Sequence, residues 1–187
     1  MKILLLNGSP RINGNTGTAL NQIIKGIQFN VQEAQIELFN VADLELRGCT
    51  NCDSCRKNDG NCVMTDDSFK IVQKIVDADM IILGTPVYYW GISSQLKTVI
   101  DKLYSKENQL RQQKKKFGVI AIGEASLDDL EYKLIGSQFE CICNYFGWSL
   151  IFNKSICAFE AGDLTEDKIQ LQELESLSVY INRENGF

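Results

Sequence analysis

Short apolar runs, each followed by a polar turn and then by apolar residues at helical spacing, recur along this chain of 187 residues. Ile3-Leu4-Leu5-Leu6 is short enough for a buried strand, and Leu20, Ile23, Ile24 and Ile27 follow at i, i+3, i+4, i+7, one face of a helix. Gln35 to Phe39 alternates weakly and predicts a second strand. Asp66-Asp67-Ser68 predicts a helix start with Thr65 or Asp66 as N-cap. Its buried face is expected from Phe69, Val72 and Val76, with Ile71 and Ile75 beside them. Asp79 to Gly84 predicts a third strand whose unbroken apolar run requires cover on both faces, as in a parallel sheet. A helix carrying Ile92, Leu96, Val99, Ile100 and Leu103 comes next, then a strand at Phe117–Ile122, a helix over residues 127–146 and a strand within residues 148–157. A last helix is expected near Thr165-Glu166-Asp167, with Leu171, Leu174, Leu177 and Ile181 inward.

Five strands alternating with five helices describe a doubly wound α/β fold. Neither a linker nor a repeat divides the sequence, which predicts one domain over residues 1–187. Right-handed crossovers bring every βα loop to the carboxyl edge of the sheet, where ligands bind in this architecture. The chemistry is therefore to be sought in four loops, those following the first, second, third and fourth strands.

Bulk composition narrows the choice. A net charge of −5 disfavours a nucleic-acid surface. The one basic run, Lys114-Lys115-Lys116, reads as a solvated loop. No stretch approaches the ~20 apolar residues of a membrane span, and Met1-Lys2 with its short apolar run predicts no signal peptide. Seven cysteines then point to a reducing, cytoplasmic setting with thiols or metal ligands in place of disulfides. The absence of histidine removes imidazole bases and His-ligated metals and suits chemistry carried by a cofactor.

The first loop, Gly8-Ser9-Pro10-Arg11-Ile12-Asn13-Gly14-Asn15-Thr16, joins a strand to a helix start. Backbone N–H groups there, with the helix dipole behind them, attract an anion. It is neither a Walker A loop, since no lysine follows Gly14, nor a dinucleotide fingerprint. Two readings stay open on this loop alone: a cradle for a phosphate monoester, or an ordinary turn capped by Ser and Asn. The third loop, Thr85-Pro86-Val87-Tyr88-Tyr89-Trp90-Gly91, sets three aromatics beside a proline. It is either a stacking surface for a flat ring, or a hydrophobic plug or dimer contact. A phosphate cradle combined with a stacking loop fits flavin mononucleotide (FMN).

Cys49, Cys52, Cys55 and Cys62 form a Cys-x2-Cys-x2-Cys-x6-Cys stretch. Its compactness resembles cubane iron–sulfur ligation more than the two separated pairs of zinc sites. Free thiols, a [4Fe–4S] cluster and zinc all remain readings of it. Arg56 and Lys57 are either partial balance for a thiolate cluster or plain surface charges. Cys141, Cys143 and Cys157 lie in helix or strand patterns and read as small buried hydrophobes.

Gly8-Ser9-Pro10-Arg11 with Gly14-Asn15-Thr16, and Pro86 to Gly91 followed by Gln95-Leu96-Lys97 and Ile100-Asp101-Lys102, resemble the two FMN loops of the flavodoxin-like NAD(P)H-dependent FMN oxidoreductases. The cysteine stretch preceding Asp66-Asp67 resembles that of the iron–sulfur flavoproteins of the same superfamily. The resemblance implies a three-layer sandwich with a five-stranded parallel sheet in order 2-1-3-4-5. It also implies phosphate binding by Ser9, Arg11, Asn15 and Thr16, and a ring site lined by Pro86, Val87, Tyr88, Tyr89 and Gly91. Gly123 and Ser126 are implied on a third contact loop. No protein group need act as catalyst, although Tyr88 is a candidate proton donor. NAD(P)H would be a transient co-substrate and a small molecule the acceptor. A homodimer or homotetramer is implied, with Tyr89 and Trp90 as candidate contacts. A ferredoxin partner follows only if a cluster is bound on the four cysteines. A third reading is a redox-sensing FMN module without catalysis.

Overall fold

The computed structural model describes residues 1–181, so the last six positions of the domain expected over 1–187 lie outside the described residues. The elements, in chain order, are β1 (Lys2–Asn7), α1 (Asn15–Asn30), β2 (Gln35–Asn40), α2 (Ser68–Asp77), β3 (Met80–Pro86), α3 (Ser94–Lys102), the short α4 (Glu107–Leu110), β4 (Lys116–Gly123), α5 (Leu130–Phe146), β5 (Ser149–Cys157), the short α6 (Asp163–Glu166) and α7 (Lys168–Ser176). Every described strand pairing is parallel, in the order β2-β1-β3-β4-β5. This is the flavodoxin-like arrangement the resemblance implies.

Strand composition explains the order. β1, β3 and β4 are buried almost end to end and occupy the middle, whereas β2, with no buried position, and β5, with two, form the edges. Side chains alternate across a sheet, so the central strands feed two cores. Leu4, Leu6, Ile81, Leu83 and Val119 face α2, α3 and α5. Ile3, Leu5, Met80, Ile82 and Ile120 face α1 and α7. The first core carries an aromatic column in which Phe117 stacks on Phe139 at 5.6 Å, and Phe146 stacks on Trp148 at 4.6 Å. Such pairs add ~0.5–1.5 kcal/mol each beyond their burial.

Several local expectations are corrected. Phe69 is 48% exposed. It falls at the rim of the α2 stripe, in the first turn, where the Lys106 amine covers its ring at 5.9 Å. Neither Thr65 nor Asp66 is the α2 N-cap: Asp67 holds that position, and Asp66 reaches past it to accept from the Ser68 N–H at 3.0 Å. The fourth long helix starts at Leu130 and not at 127, because the Asp129 side chain caps it by accepting from Glu131 N–H. The last helix is broken at Asp167, which caps α7 through Gln170 N–H.

Lys115 is not solvated but buried. Its amine donates to Val76 O at 2.8 Å and Ala78 O at 2.5 Å, satisfying carbonyls at the α2 C-terminus. Lys116 likewise donates to Ile181 O, so the basic run is partly structural. Cys141 and Cys157 are exposed, and only Cys143 is the buried hydrophobe expected. On α5, position 143 shares the inner face with Phe139 and Phe146 while 141 turns outward. Cys157 ends an edge strand. Burial pushes the Cys143 thiol up to about 12.

Candidate functional site

Three loops and the segment after β5 meet over the carboxyl ends of the strands and enclose a cleft of about 690 Å3. Its walls include Ser9, Arg11, Asn15 and Thr16 from the first loop, Pro86, Val87, Tyr88, Tyr89 and Trp90 from the third, and Gly123 from the fourth. Nine of the eleven residues implied as FMN contacts therefore line one cavity. Gly91 and Ser126 do not. Gly91 is turned into a reciprocal backbone pair with Tyr88. The Ser126 carbonyl accepts from Asp129 N–H just before α5, and its hydroxyl bonds Asp128.

The first loop is shaped by a residue that its sequence did not single out. Asn7, at the end of β1, is buried; its Oδ1 accepts from Ser9 N–H at 3.1 Å, and its Nδ2 donates to Ile12 O and to Asn40 Oδ1. Ser9 Oγ accepts from Arg11 N–H at 3.1 Å and keeps its own proton to give. Ser93, the N-cap of α3, donates to Gly8 O at 2.6 Å and so fixes this loop to the neighbouring strand's helix. At Gly17 a Cβ would stand 2.1 Å from Ile12 O, so only glycine lets the loop fold against the helix.

At the N-terminus of α1, Gly14 holds the cap position with no side-chain bond to the first turn. By contrast α3, α5 and α7 are capped by Ser93, Asp129 and Asp167. The leading N–H groups of α1 have no intrahelical partner. They point, with the helix dipole, toward the cleft, so the donor set fits a phosphate. Asn15 departs from its expected part in that set. Its side chain is committed to the β5–α6 segment, donating to Glu160 O at 2.8 Å and accepting from Gly162 N–H at 3.0 Å and Leu164 N–H at 3.3 Å.

The aromatic turn is strained. Tyr89 and Trp90 both have positive φ, 47° and 60°, between the paired Tyr88 and Gly91. Bulky side chains rarely accept this conformation, which costs on the order of 1–3 kcal/mol per residue and collects at functional sites. Tyr89 is 96% exposed. On the facing side Glu131 has one carboxyl oxygen buried without a hydrogen-bond partner, and burial raises its pKa, with Asp129 and Glu124 adding repulsion. Trp90, Glu124, Asp129, Glu131, Ala158, Phe159 and Ala161 line the cleft without having been expected among its cofactor contacts. The segment after β5 was missed because its Ala-Phe-Glu-Ala-Gly composition carries no motif.

A second, smaller cavity of about 20 Å3 lies beside α3 and is lined by Cys49, Cys52, Cys55 and Cys62. The residues between them adopt left-handed backbone at Asn51, Asp53 and Asp59, types that tolerate it. Ser54 pulls the Cys52 thiol below its usual value through its side chain and its backbone. Arg56 does not balance these thiols: it pairs with Glu107 and lies over the Tyr104 ring at 4.1 Å. The nearby charge is Lys102, which is buried, ion-paired with Asp66 at 3.5 Å, and 3.7 Å from Cys62 Sγ. The donors suit an iron–sulfur cluster in kind. Among the described residues, however, no three His, Cys, Asp or Glu side chains converge as a metal site.

A parallel sheet with an uncapped helix N-terminus and an aromatic turn at its switch point is the arrangement of a nucleotide-binding α/β protein. Residues 1–137 match the family described as NADPH-dependent FMN reductase, and the chain belongs to that family. An iron–sulfur flavoprotein of Methanocaldococcus jannaschii is 36% identical over 123 residues, covering 66% of this chain and 62% of that protein. Another iron–sulfur flavoprotein, from Archaeoglobus fulgidus, is 36% identical over 102 residues, 54% of this chain and 48% of its own length. The matched stretch thus spans about half to three-fifths of these relatives. The solved NAD(P)H:quinone oxidoreductase of Methanothermobacter marburgensis superposes with a TM-score of 0.73 at 13% identity, covering 100% of this chain and 99% of that one. Among the described residues no helix is long and apolar enough to cross a membrane.

Proposed function

We propose that this chain is an FMN-dependent oxidoreductase that takes a hydride from NAD(P)H and delivers the electrons to a small acceptor such as a quinone or free flavin. The observation that carries this reading is the uncapped N-terminus of α1 opening into a 690 Å3 cleft beside the aromatic turn. Bound FMN supplies the hydride and electron chemistry. The leading N–H groups of α1, the Ser9 and Thr16 hydroxyls and Arg11 hold its phosphate. Pro86, Val87, Tyr88 and the Tyr89-Trp90 turn confine the ring, and Gly123, lacking a Cβ, lets the Glu131 carboxyl close in beside the end of β4. The proton for the reduced acceptor comes from solvent or from the Tyr88 hydroxyl, which lines the cleft. The chain works as a homodimer or homotetramer, with the exposed Tyr89 and Trp90 reaching a second copy.

A second reading has an observation of its own. All four motif cysteines line one cavity beside the buried Lys102–Asp66 pair, and the two relatives above are named as iron–sulfur flavoproteins. In that reading Cys49, Cys52, Cys55 and Cys62 hold a [4Fe–4S] cluster and the electron partner is ferredoxin-like. A visible spectrum of anaerobically purified protein, with iron and sulfide assayed on the same sample, separates the two. Flavin bands without iron support the reductase. About four irons per chain under the flavin bands favour the second reading. A colourless protein that refuses added FMN refutes both.

A further inference from the structure

The segment from Ala158 to Leu164 is built as firmly as a secondary-structure element, yet it holds an aromatic ring in the open. The N–H groups of Ala158, Phe159, Glu160, Gly162, Asp163 and Leu164 are all bonded. Ala158 donates to Gly123 O at 2.8 Å, Phe159 and Glu160 donate to Asp163 Oδ2 at 2.9 and 2.7 Å, and Asp163 donates to Glu160 O at 3.3 Å. Gly162 and Leu164 donate to Asn15 Oδ1, whose own amide returns a bond to Glu160 O. Leu164 anchors the far end in the core at 1% exposure. Burying a phenyl ring is favourable. Phe159 instead stays 70% exposed on the cleft wall.

The cradle and residues 158–164 lie on the α1 side of the sheet, joined by Asn15. The Tyr88–Trp90 turn and the Glu131 wall lie on the other side, and β4 ends between them. Phe159 therefore gives the α1 side of the cleft an exposed aromatic face beside its Ser, Asn, Arg and Ala neighbours. Aromatic faces select flat aromatic ligands.

We infer that Phe159, held in place by Asn15, is the residue that selects planar aromatic electron acceptors, and that Asn15 acts on acceptor choice as a positioning residue and not as a phosphate ligand. The inference rests on the oxidoreductase reading above and names the acceptor class for that site.

The test uses FMN-loaded protein, with all rates expressed per bound FMN. Two acceptors are compared, 1,4-naphthoquinone, a flat aromatic, and ferricyanide, a compact hydrophilic anion. Naphthoquinone binding to the oxidised holoprotein is also measured by difference spectroscopy, without turnover. Phe159→Ala is expected to weaken naphthoquinone binding at least fivefold and to lower the ratio of kcat/KM for naphthoquinone over ferricyanide by a similar factor. Phe159→Trp should restore both. Asn15→Ala should lower the same ratio, and the double variant should fall no further than the weaker single, because the two residues act as one unit. Equal binding in the wild type and Phe159→Ala overturns the inference, as does an equal loss toward both acceptors. An Asn15→Ala protein that loses FMN affinity without a change in the ratio overturns the positioning role. Failure of the parent reading looks different: the wild type would oxidise no NAD(P)H with either acceptor. In that case loss of naphthoquinone binding in Phe159→Ala still supports the wall, and unchanged binding still refutes it.

Discussion

Replacing Gly17 by alanine tests whether the first loop is a cofactor cradle or only a turn. The new Cβ would stand 2.1 Å from Ile12 O, against an ordinary C···O contact of about 3.3 Å, so the loop must retreat by roughly 1.2 Å. Ile12 O is itself held by Asn7 Nδ2 at 3.4 Å, so the retreat disturbs the β1 end as well. Two effects oppose each other in stability. Alanine in place of glycine inside a helix gains up to ~1 kcal/mol, and overpacking costs ~1–3 kcal/mol. The net is a loss of about 0–2 kcal/mol, a modest fall in melting temperature. Ligand binding has no such offset. Moving the loop across the α1 N-terminus removes at least one charge-assisted bond to phosphate, worth ~1.5–3 kcal/mol, which is a roughly 10- to 100-fold rise in the FMN dissociation constant. Titration of apoprotein with FMN, followed by quenching of flavin fluorescence, reads this directly, with thermal unfolding alongside. A Gly17→Ala protein that binds FMN like the wild type would refute the cradle, whatever its melting temperature.

Two further outcomes are expected. Ser9→Ala with Thr16→Ala should weaken FMN retention at least tenfold in the same titration while costing about 1–2 kcal/mol of stability; unchanged retention would count against these hydroxyls. Burial lowers the Lys115 amine from 10.5 to about 8. Between those values the unfolded chain keeps a proton that the native protein releases, so this group's contribution to stability rises with pH across that window. Lys115→Met should flatten that rise in unfolding scans from pH 7.5 to 10, and should cost stability at pH 7 because Val76 O and Ala78 O lose a donor. A slope identical to the wild type would sink this account.

The parts of the fold that read directly from sequence are those in which one local pattern has one physical solution. Unbroken apolar runs such as Met80–Leu83 can only be covered on both faces, and that alone places β3 in the middle of the sheet. The two loops that wall the cleft were legible because each carries its polar or aromatic residues consecutively. What could not be read depends on residues far apart in the chain. Lys115 looks like its solvated neighbour Lys114 until the end of α2 is brought over it. Asn15 looks like a phosphate donor until residues 160–164 claim its amide. Phe159 and Glu131 joined the cleft by topology alone. The cysteine stretch sits between the two cases: its spacing put four thiols on one cavity, but the cation beside them, Lys102, comes from a helix forty residues on.

The bond from Asn15 to Glu160 spans 145 residues, so the start of α1 is completed by almost the last part of the described chain. On a ribosome adding about 5–20 residues per second, the first loop would wait roughly 7–30 s for the segment that secures it. The nascent chain can pair β1 with β2 and β3 in that interval. Its first loop is tied to the β5 side only when residue 164 has emerged, after every strand of the sheet has been made.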